Sequence, residues 1–236
     1  MKTENQEWKV DCNRYIGFMD VMGFKDMVAR KSHEEVGRML HQMSFMKDIL
    51  QRVIVSPLKE KNEMFEREER VKSITFSDSV LFVTKDDSLS DLLILSSVLE
   101  IFQEAAIQRG APTKGAISFG RLTADFEKSL FYGQPLIDAY LLQDQLNYYG
   151  IIVDNEAEAR IIDSIRREQI DESLIKGHFY KLATPLKSGK VQHYNVRLGN
   201  LTEEQIEDMY KTVSGGVRKY VDNTIEIYEL MNKNSS

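Results

Sequence analysis

Two aspartates close two short apolar runs: Tyr-Ile-Gly-Phe-Met-Asp at 15–20, ending in Asp20, and Ser-Ile-Thr-Phe-Ser-Asp at 73–78, ending in Asp78. Carboxylates carried to neighbouring strand ends share divalent cations readily, because hard cations prefer oxygen donors. The first run continues as Val21-Met22-Gly23-Phe24-Lys25. A glycine turn opening a helix turns backbone N–H groups towards an anion. Metal-binding carboxylates beside an anion cradle outline a site for a phosphorylated ligand such as a nucleotide.

The elements that must position these residues follow from periodicity and punctuation. A buried strand is expected over 14–20 and a helix over 33–53, whose apolar stripe is Val36, Met39, Leu40, Met43, Met46, Ile49, Leu50 and Val53. Methionines on such a stripe read as core filler. Residues 59–70 are densely charged without an apolar face and read as a solvated helix end and loop. Strands at 71–77 and 79–84 form a hairpin turning at Ser77, Asp78 and Ser79. Ser88 caps a long helix that ends near Gln108, before Gly110 and Pro112. Thr113 to Phe119 is a strand, 121–131 a loop, and Gly133-Gln-Pro opens a helix through Gln145. A short strand at 151–153, a helix over 155–168 and a hairpin of 179–182 with 191–196 complete the core. From Thr202 the tail is helical, with a break at Gly215-Gly216. The order β-α-β-β-α-β predicts an α+β fold, a ferredoxin-like unit with C-terminal helices and a hairpin added.

At 236 residues the chain supports one substantial domain, with a core over 14–196 and a helical extension over 202–232. A net charge of −6 provides no global field for nucleic acid, so no nucleic-acid partner is expected. A single cysteine, Cys12, rules out an internal disulfide and a cysteine-rich zinc site. The polar, acidic N-terminus is unlike a signal peptide, and no apolar run approaches membrane-spanning length. A cytoplasmic protein with no membrane partner is the expectation. His33, His41, His178 and His193 show no metal-ligand spacing.

Five segments resemble the catalytic domain of the class III nucleotide cyclases. They are Phe-Met-Asp-Val-Met-Gly-Phe (18–24), Ile-Thr-Phe-Ser-Asp-Ser (74–79), Lys-Gly-Ala-Ile-Ser-Phe-Gly (114–120), Phe-Tyr-Gly-Gln-Pro-Leu-Ile-Asp-Ala-Tyr (131–140) and the Lys-Ser-Gly-Lys turn at 187–190. The resemblance implies that Asp20 and Asp78, with the Val21 carbonyl, hold two divalent cations, Mg2+ or Mn2+, over a nucleoside triphosphate. It implies that Met22, Gly23, Phe24 and Lys25 cradle phosphates together with Lys187, for which Lys190 is the rival. It also implies a head-to-tail homodimer with its active sites at the interface.

The departures from the family pattern are specific. Where purine cyclases read their base with polar residues, this chain has Ile74 and Leu130, so a purine edge would lose its hydrogen-bond partners. Ile74, Phe76 and Leu130 are the expected base pocket. Ile137 and Leu141 stand where the family has a transition-state asparagine and arginine, leaving Arg121, Gln134 and Tyr140 as candidate replacements. Within the family the chain looks like the stand-alone pyrimidine cyclases of the Pycsar anti-phage systems, which make cyclic UMP or cyclic CMP for a separate effector protein. The alternatives are a degenerate nucleotide-binding sensor and a purine cyclase.

Overall fold

The computed structural model describes residues 8–38, 40–41, 69–168, 172–211 and 213–235. The expected 59–70 loop, apart from Glu69 and Arg70, lies outside the described residues, as do Met39 and the part of the methionine stripe beyond Leu40.

Strand β1 (Asp11–Val21) is the spine of the sheet. Helix α1 (Phe24–Arg30) follows it through Gly23, and α2 has described residues 33–38 and 40–41. The hairpin of β2 (Val71–Phe76) and β3 (Ser79–Thr84) then leads to α3 (Leu89–Gln108). Ser88 caps α3 as expected, its side chain accepting from the Asp91 N–H at 3.2 Å. Next come β4 (Thr113–Asp125), β5 (Leu130–Tyr132), α4 (Gln134–Gln145), β6 (Ile151–Val153), α5 (Asn155–Glu168) and α6 (Glu172–Lys176). The hairpin of β7 (Phe179–Leu186) and β8 (Gly189–Val196) closes the sheet. After it run α7 (Glu203–Glu207), two short 3-10 turns and α8 (Arg218–Ser235).

The sheet order is β2-β3-β1-β4-β6-β8-β7, with β5 paired to β4. Its β4-β1-β3-β2 portion is the antiparallel ferredoxin-like order, extended beyond β4 by the parallel β6 and the closing hairpin. The fold is therefore α+β with an open mixed sheet.

Alternation along β1 sorts its side chains between two cores. Tyr15, Met19 and Val21 join the apolar face of α3 and residues of α5, while Ile16 and Phe18 join Ala139 of α4 and Val221, Ile227 and Met231 of α8. Helices thus cover both faces. Near the start of β2, Arg70 is clamped between Asp86 and Asp91, each at 2.6 Å, tying the hairpin to the first turn of α3.

One expectation is corrected. Residues 121–131 are not a loop, because β4 continues to Asp125 and β5 folds back on it. Leu122 and Ala124 face the core while β1 supplies pairing partners as far as Asp11. Flanking charges at Arg121, Asp125, Glu127 and Lys128 disguise this alternation in the sequence, and the turn itself is held by Lys128 on Asp125.

Candidate functional site

Asp20 is the penultimate residue of β1 and pairs with Ser79, the first residue of β3. Ser79 donates its hydroxyl to the Asp20 carboxylate at 2.9 Å, and the Val21 N–H donates to the Asp78 carbonyl at 3.0 Å. Asp78 lies in the two-residue β2–β3 turn beside Ser77, which adopts φ 54, a left-handed conformation unfavourable for a side-chain-bearing residue. The sharp turn brings the second aspartate back beside the first. Burial raises the Asp20 carboxyl above the ordinary aspartate range, and the charges of Asp78 and Asp144 push it further, against the Ser79 hydrogen bond and the charge of Lys114. A carboxylate whose charge is opposed by its surroundings gains most from a neighbouring cation. With the Val21 carbonyl at the same strand end, the donor set is all oxygen and suits Mg2+ or Mn2+. Among the described residues no group of three or more acidic, histidine or cysteine side chains forms a metal cluster.

The chain leaves β1 through Met22, whose N–H is engaged by the Pro112 carbonyl at 2.8 Å. Gly23 follows at φ 76, a conformation that glycine adopts freely, and redirects the chain into α1. The first-turn N–H groups of α1 have no partner inside the helix, so Gly23, Phe24 and Lys25, rather than Met22, carry the free donors of the expected cradle.

The cationic side of the site comes from β4. Lys114 pairs directly across β1 with Asp20, so the two side chains share a face, their Cβ atoms about 5 Å apart. Lys114 is 3% exposed. Its ammonium donates to the Leu146 carbonyl at 3.3 Å and lies 5.5 Å from the ring centroid of Tyr220 on α8. Burial lowers its proton affinity and the Lys187 charge adds to this, while Asp144 and Asp20 act in the opposite sense. Lys187, in the β7–β8 turn, donates to both carboxylate oxygens of Asp144 at 2.8 Å. Its rival Lys190 is held instead by Glu226 of α8 at 2.5 Å.

Two of the expected base-pocket residues, Ile74 and Phe76, lie on the same face further along β2. Phe76 meets Phe131 edge-to-face at 6.4 Å, Phe131 in turn meets Phe126 at 5.0 Å, and Ile74 packs into the core of that face. Leu130 does not join them: it precedes Phe131 in β5, pairs with Asp125, takes the opposite face of the sheet and is exposed.

The three candidate transition-state groups are dispersed. Arg121 lies seven residues along β4 from Lys114, about 23 Å at strand rise, and forks onto Asp11 at 3.1 and 2.7 Å. Gln134, at the start of α4, donates to Asp138 at 2.9 Å. Tyr140 stands closest to the aspartates, its ring 5.7 Å from that of Phe18, two residues before Asp20. Ile137, Tyr140, Leu141 and Asp144 form one stripe of α4 by their i, i+3, i+4, i+7 spacing, opposite its buried Pro135, Ala139 and Gln143. Together with Phe76, Leu130 and Tyr132, the apolar members of that stripe are 47% to 59% exposed.

Sequence reasoning missed Lys114 as a site residue, although the segment it opens was singled out, and it missed Asp144 entirely. The one available signal for Lys114 is its place, a lysine at the head of an otherwise apolar strand. Asp144 has no such signal, being a helix-end aspartate among polar neighbours. Two of the histidines have partners away from the aspartates: His178 bonds to Ser96 at 3.0 Å and His193 to Glu158 at 3.1 Å.

No helix among the described residues is long and apolar enough to cross a membrane. No protein-family model matches the chain, and no curated protein matches it by sequence. Solved structures match it by fold. One is the non-canonical dimeric guanylyl cyclase domain of the RhoGC fusion protein from the aquatic fungus Blastocladiella emersonii, at TM-score 0.54 and 12% identity, covering 78% of this chain and 94% of that one. Another is the catalytic core of a rhodopsin-guanylyl cyclase with converted specificity in complex with ATPαS, at TM-score 0.51 and 15% identity, covering 79% and 96%. The chain thus has the fold of the nucleotide-cyclase catalytic domains.

Proposed function

We propose that the protein is a metal-dependent nucleotide cyclase that converts a pyrimidine nucleoside triphosphate, UTP or CTP, to its 3′,5′-cyclic monophosphate and pyrophosphate. The observation that carries this reading is the convergence of Asp20 and Asp78 at neighbouring strand ends with Lys114 and the Lys187–Asp144 pair grouped beside them. Bound by Asp20, Asp78 and the Val21 carbonyl, two divalent cations would acidify the ribose 3′-hydroxyl and neutralise the phosphates. The ribose 3′-oxygen attacks the α-phosphorus, the bond to the β-phosphate bridging oxygen breaks, and the hydroxyl proton passes to solvent. Lys187 holds the departing pyrophosphate, Lys114 adds a fixed, buried positive charge, and the α1 turn adds N–H donors. Because the attack is intramolecular, alignment of substrate contributes more than a strong base.

The pyrimidine preference rests on Ile74 and Phe76. These apolar side chains leave a purine edge without hydrogen-bond partners and suit a smaller ring. Assembly as a head-to-tail homodimer is supported by the exposed apolar stripe of α4, which ends at Asp144 and so runs into the site. One fold neighbour, a guanylyl cyclase domain, is also dimeric, in a non-canonical form. A role in anti-phage signalling, with the cyclic product read by a separate effector protein, follows from the resemblance to the Pycsar cyclases.

A second reading, a sensor that binds a nucleotide without cyclising it, is favoured by one observation. Ile137 and Leu141 present apolar side chains where the family carries its transition-state asparagine and arginine. Incubation with ATP, GTP, CTP and UTP separately, each with Mn2+, beside Asp20→Ala and with products separated by mass, decides between the readings. A cyclic pyrimidine monophosphate absent from the variant is the expected result. A purine product would correct the substrate class, and tight nucleotide binding with no product would establish the sensor.

A further inference from the structure

Asp144 is out of place in a site that must attract a polyanion. It lies two residues before Leu146, whose carbonyl holds Lys114, and its charge is felt by both Lys114 and Asp20. Both of its oxygens are taken by the Lys187 ammonium at 2.8 Å.

The backbone under Lys187 is fastened independently of that ion pair. The Lys187 N–H donates to the Gln145 carbonyl at 2.7 Å, the Asn147 N–H to Pro185 at 3.0 Å, and the Asn147 side chain to Leu186 at 3.1 Å. Breaking the ion pair therefore frees the Lys187 side chain without loosening the turn. Lys114 contrasts with it, being buried, bonded to the Leu146 carbonyl and covered by Tyr220. The two lysines differ in kind: one is fixed, the other is half-exposed and can swing.

We propose that Asp144 is a latch: it parks Lys187 while no polyphosphate is bound, and surrenders the lysine to the phosphate chain when one enters beside Lys114. This rests on the reading of the site as a triphosphate site and adds its control. An exposed ion pair is worth about 0–1 kcal/mol, so a ligand with several charges opens the latch readily. A cyclic monophosphate has one charge and no phosphate chain to reach Lys187, so the latch closes again once pyrophosphate has left. Asp144 is a positioning residue that acts through Lys187, and its effect belongs in substrate affinity rather than in the chemical step.

The test uses the full chain and inorganic tripolyphosphate with Mn2+, a probe with neither base nor ribose, with binding measured by calorimetry. Asp144→Asn should tighten binding by about 3–5-fold, the equivalent of one exposed ion pair, and Asp144→Glu should restore the wild-type value. Lys187→Ala should weaken binding by about 5–10-fold. The decisive variant is the double one, which should match Lys187→Ala within about twofold, because without the lysine there is nothing to release. In turnover, Asp144→Asn should lower KM and leave kcat unchanged. If Asp144→Asn tightens binding equally with and without Lys187, the carboxylate is a simple repulsive charge and the latch is refuted. Unchanged or weaker binding by Asp144→Asn, with normal wild-type affinity, also refutes it. Wild-type protein that fails to bind tripolyphosphate would overturn the triphosphate reading itself, and the latch with it, which is a different pattern from either of those.

Discussion

At the scale of single residues, the site joins groups whose charges are disfavoured by their surroundings. Asp20 is raised above its unfolded value by burial and by two neighbouring carboxylates, so its ionisation works against folding. That cost is fully present above the folded value and disappears below the unfolded one, near pH 4. Asp20→Asn should therefore raise the melting temperature at neutral pH by roughly 1–3 °C, and the gain should vanish as the pH falls towards 4. The same variant should lose turnover, and the stabilisation by Mn2+ expected of the wild type should be absent; thermal melts across pH with and without the metal check both. Lys114 is the complementary case, a buried ammonium bonded to one carbonyl. Lys114→Met keeps most of its volume and removes the charge. It should hold stability within about 1 kcal/mol while weakening triphosphate binding about 3–10-fold, through the loss of a nearby buried positive charge. A titration of the folded variant with UTP and Mn2+ measures it.

At the scale of elements, the site depends on how closely β1 and β4 approach beside Asp20 and Lys114. Gly115, next to Lys114, makes that approach possible: a Cβ there would meet the Phe18 carbonyl oxygen at 2.9 Å and run into the Met19 sulfur. Met19 can move, but the carbonyl belongs to the strand ladder. Gly115→Ala should cost about 1–3 kcal/mol and reduce activity together with stability, because it spreads the pair that sets Asp20 against Lys114. Urea unfolding and turnover on the same preparation test this. Several element boundaries could be read directly. Ser88 caps α3, Gly133 opens α4, and α5 spans the expected 155–168. Each is marked by a local rule, a side-chain cap, a glycine or a run of amphipathic periodicity. The far half of β4 was not legible, because the strand identity of Arg121 and Thr123 comes from their partners Asn13 and Asp11 across the sheet, more than a hundred residues away in sequence.

At the scale of the whole molecule, helices on both faces of the sheet leave the α4 stripe and the tips of β2 and β5 as an apolar surface. The proposed homodimer buries this surface. Ile137→Glu combined with Leu141→Glu should leave the melting temperature of the fold within a few degrees while shifting sedimentation from dimer to monomer and abolishing activity. A protein that stays dimeric and active would place the interface elsewhere. The C-terminal helix α8 belongs to the same picture: Tyr220 covers Lys114, and Glu226 holds Lys190. The extension is thus part of the wall of the site.

The sequence by itself determined the α+β class, the ferredoxin-like order of elements and the positions of Asp20 and Asp78. These follow from short-range signals: apolar alternation, turn residues, caps, and a carboxylate at the end of each strand. Only the tertiary structure decided what stands opposite them. Lys114 reaches Asp20 through strand register, Lys187 reaches Asp144 through the docking of a hairpin on a helix end, and Tyr220 reaches Lys114 from the far end of the chain. The physical reason is that pairing and packing choose partners by position in space. Local propensity does not encode which lysine will lie beside which aspartate.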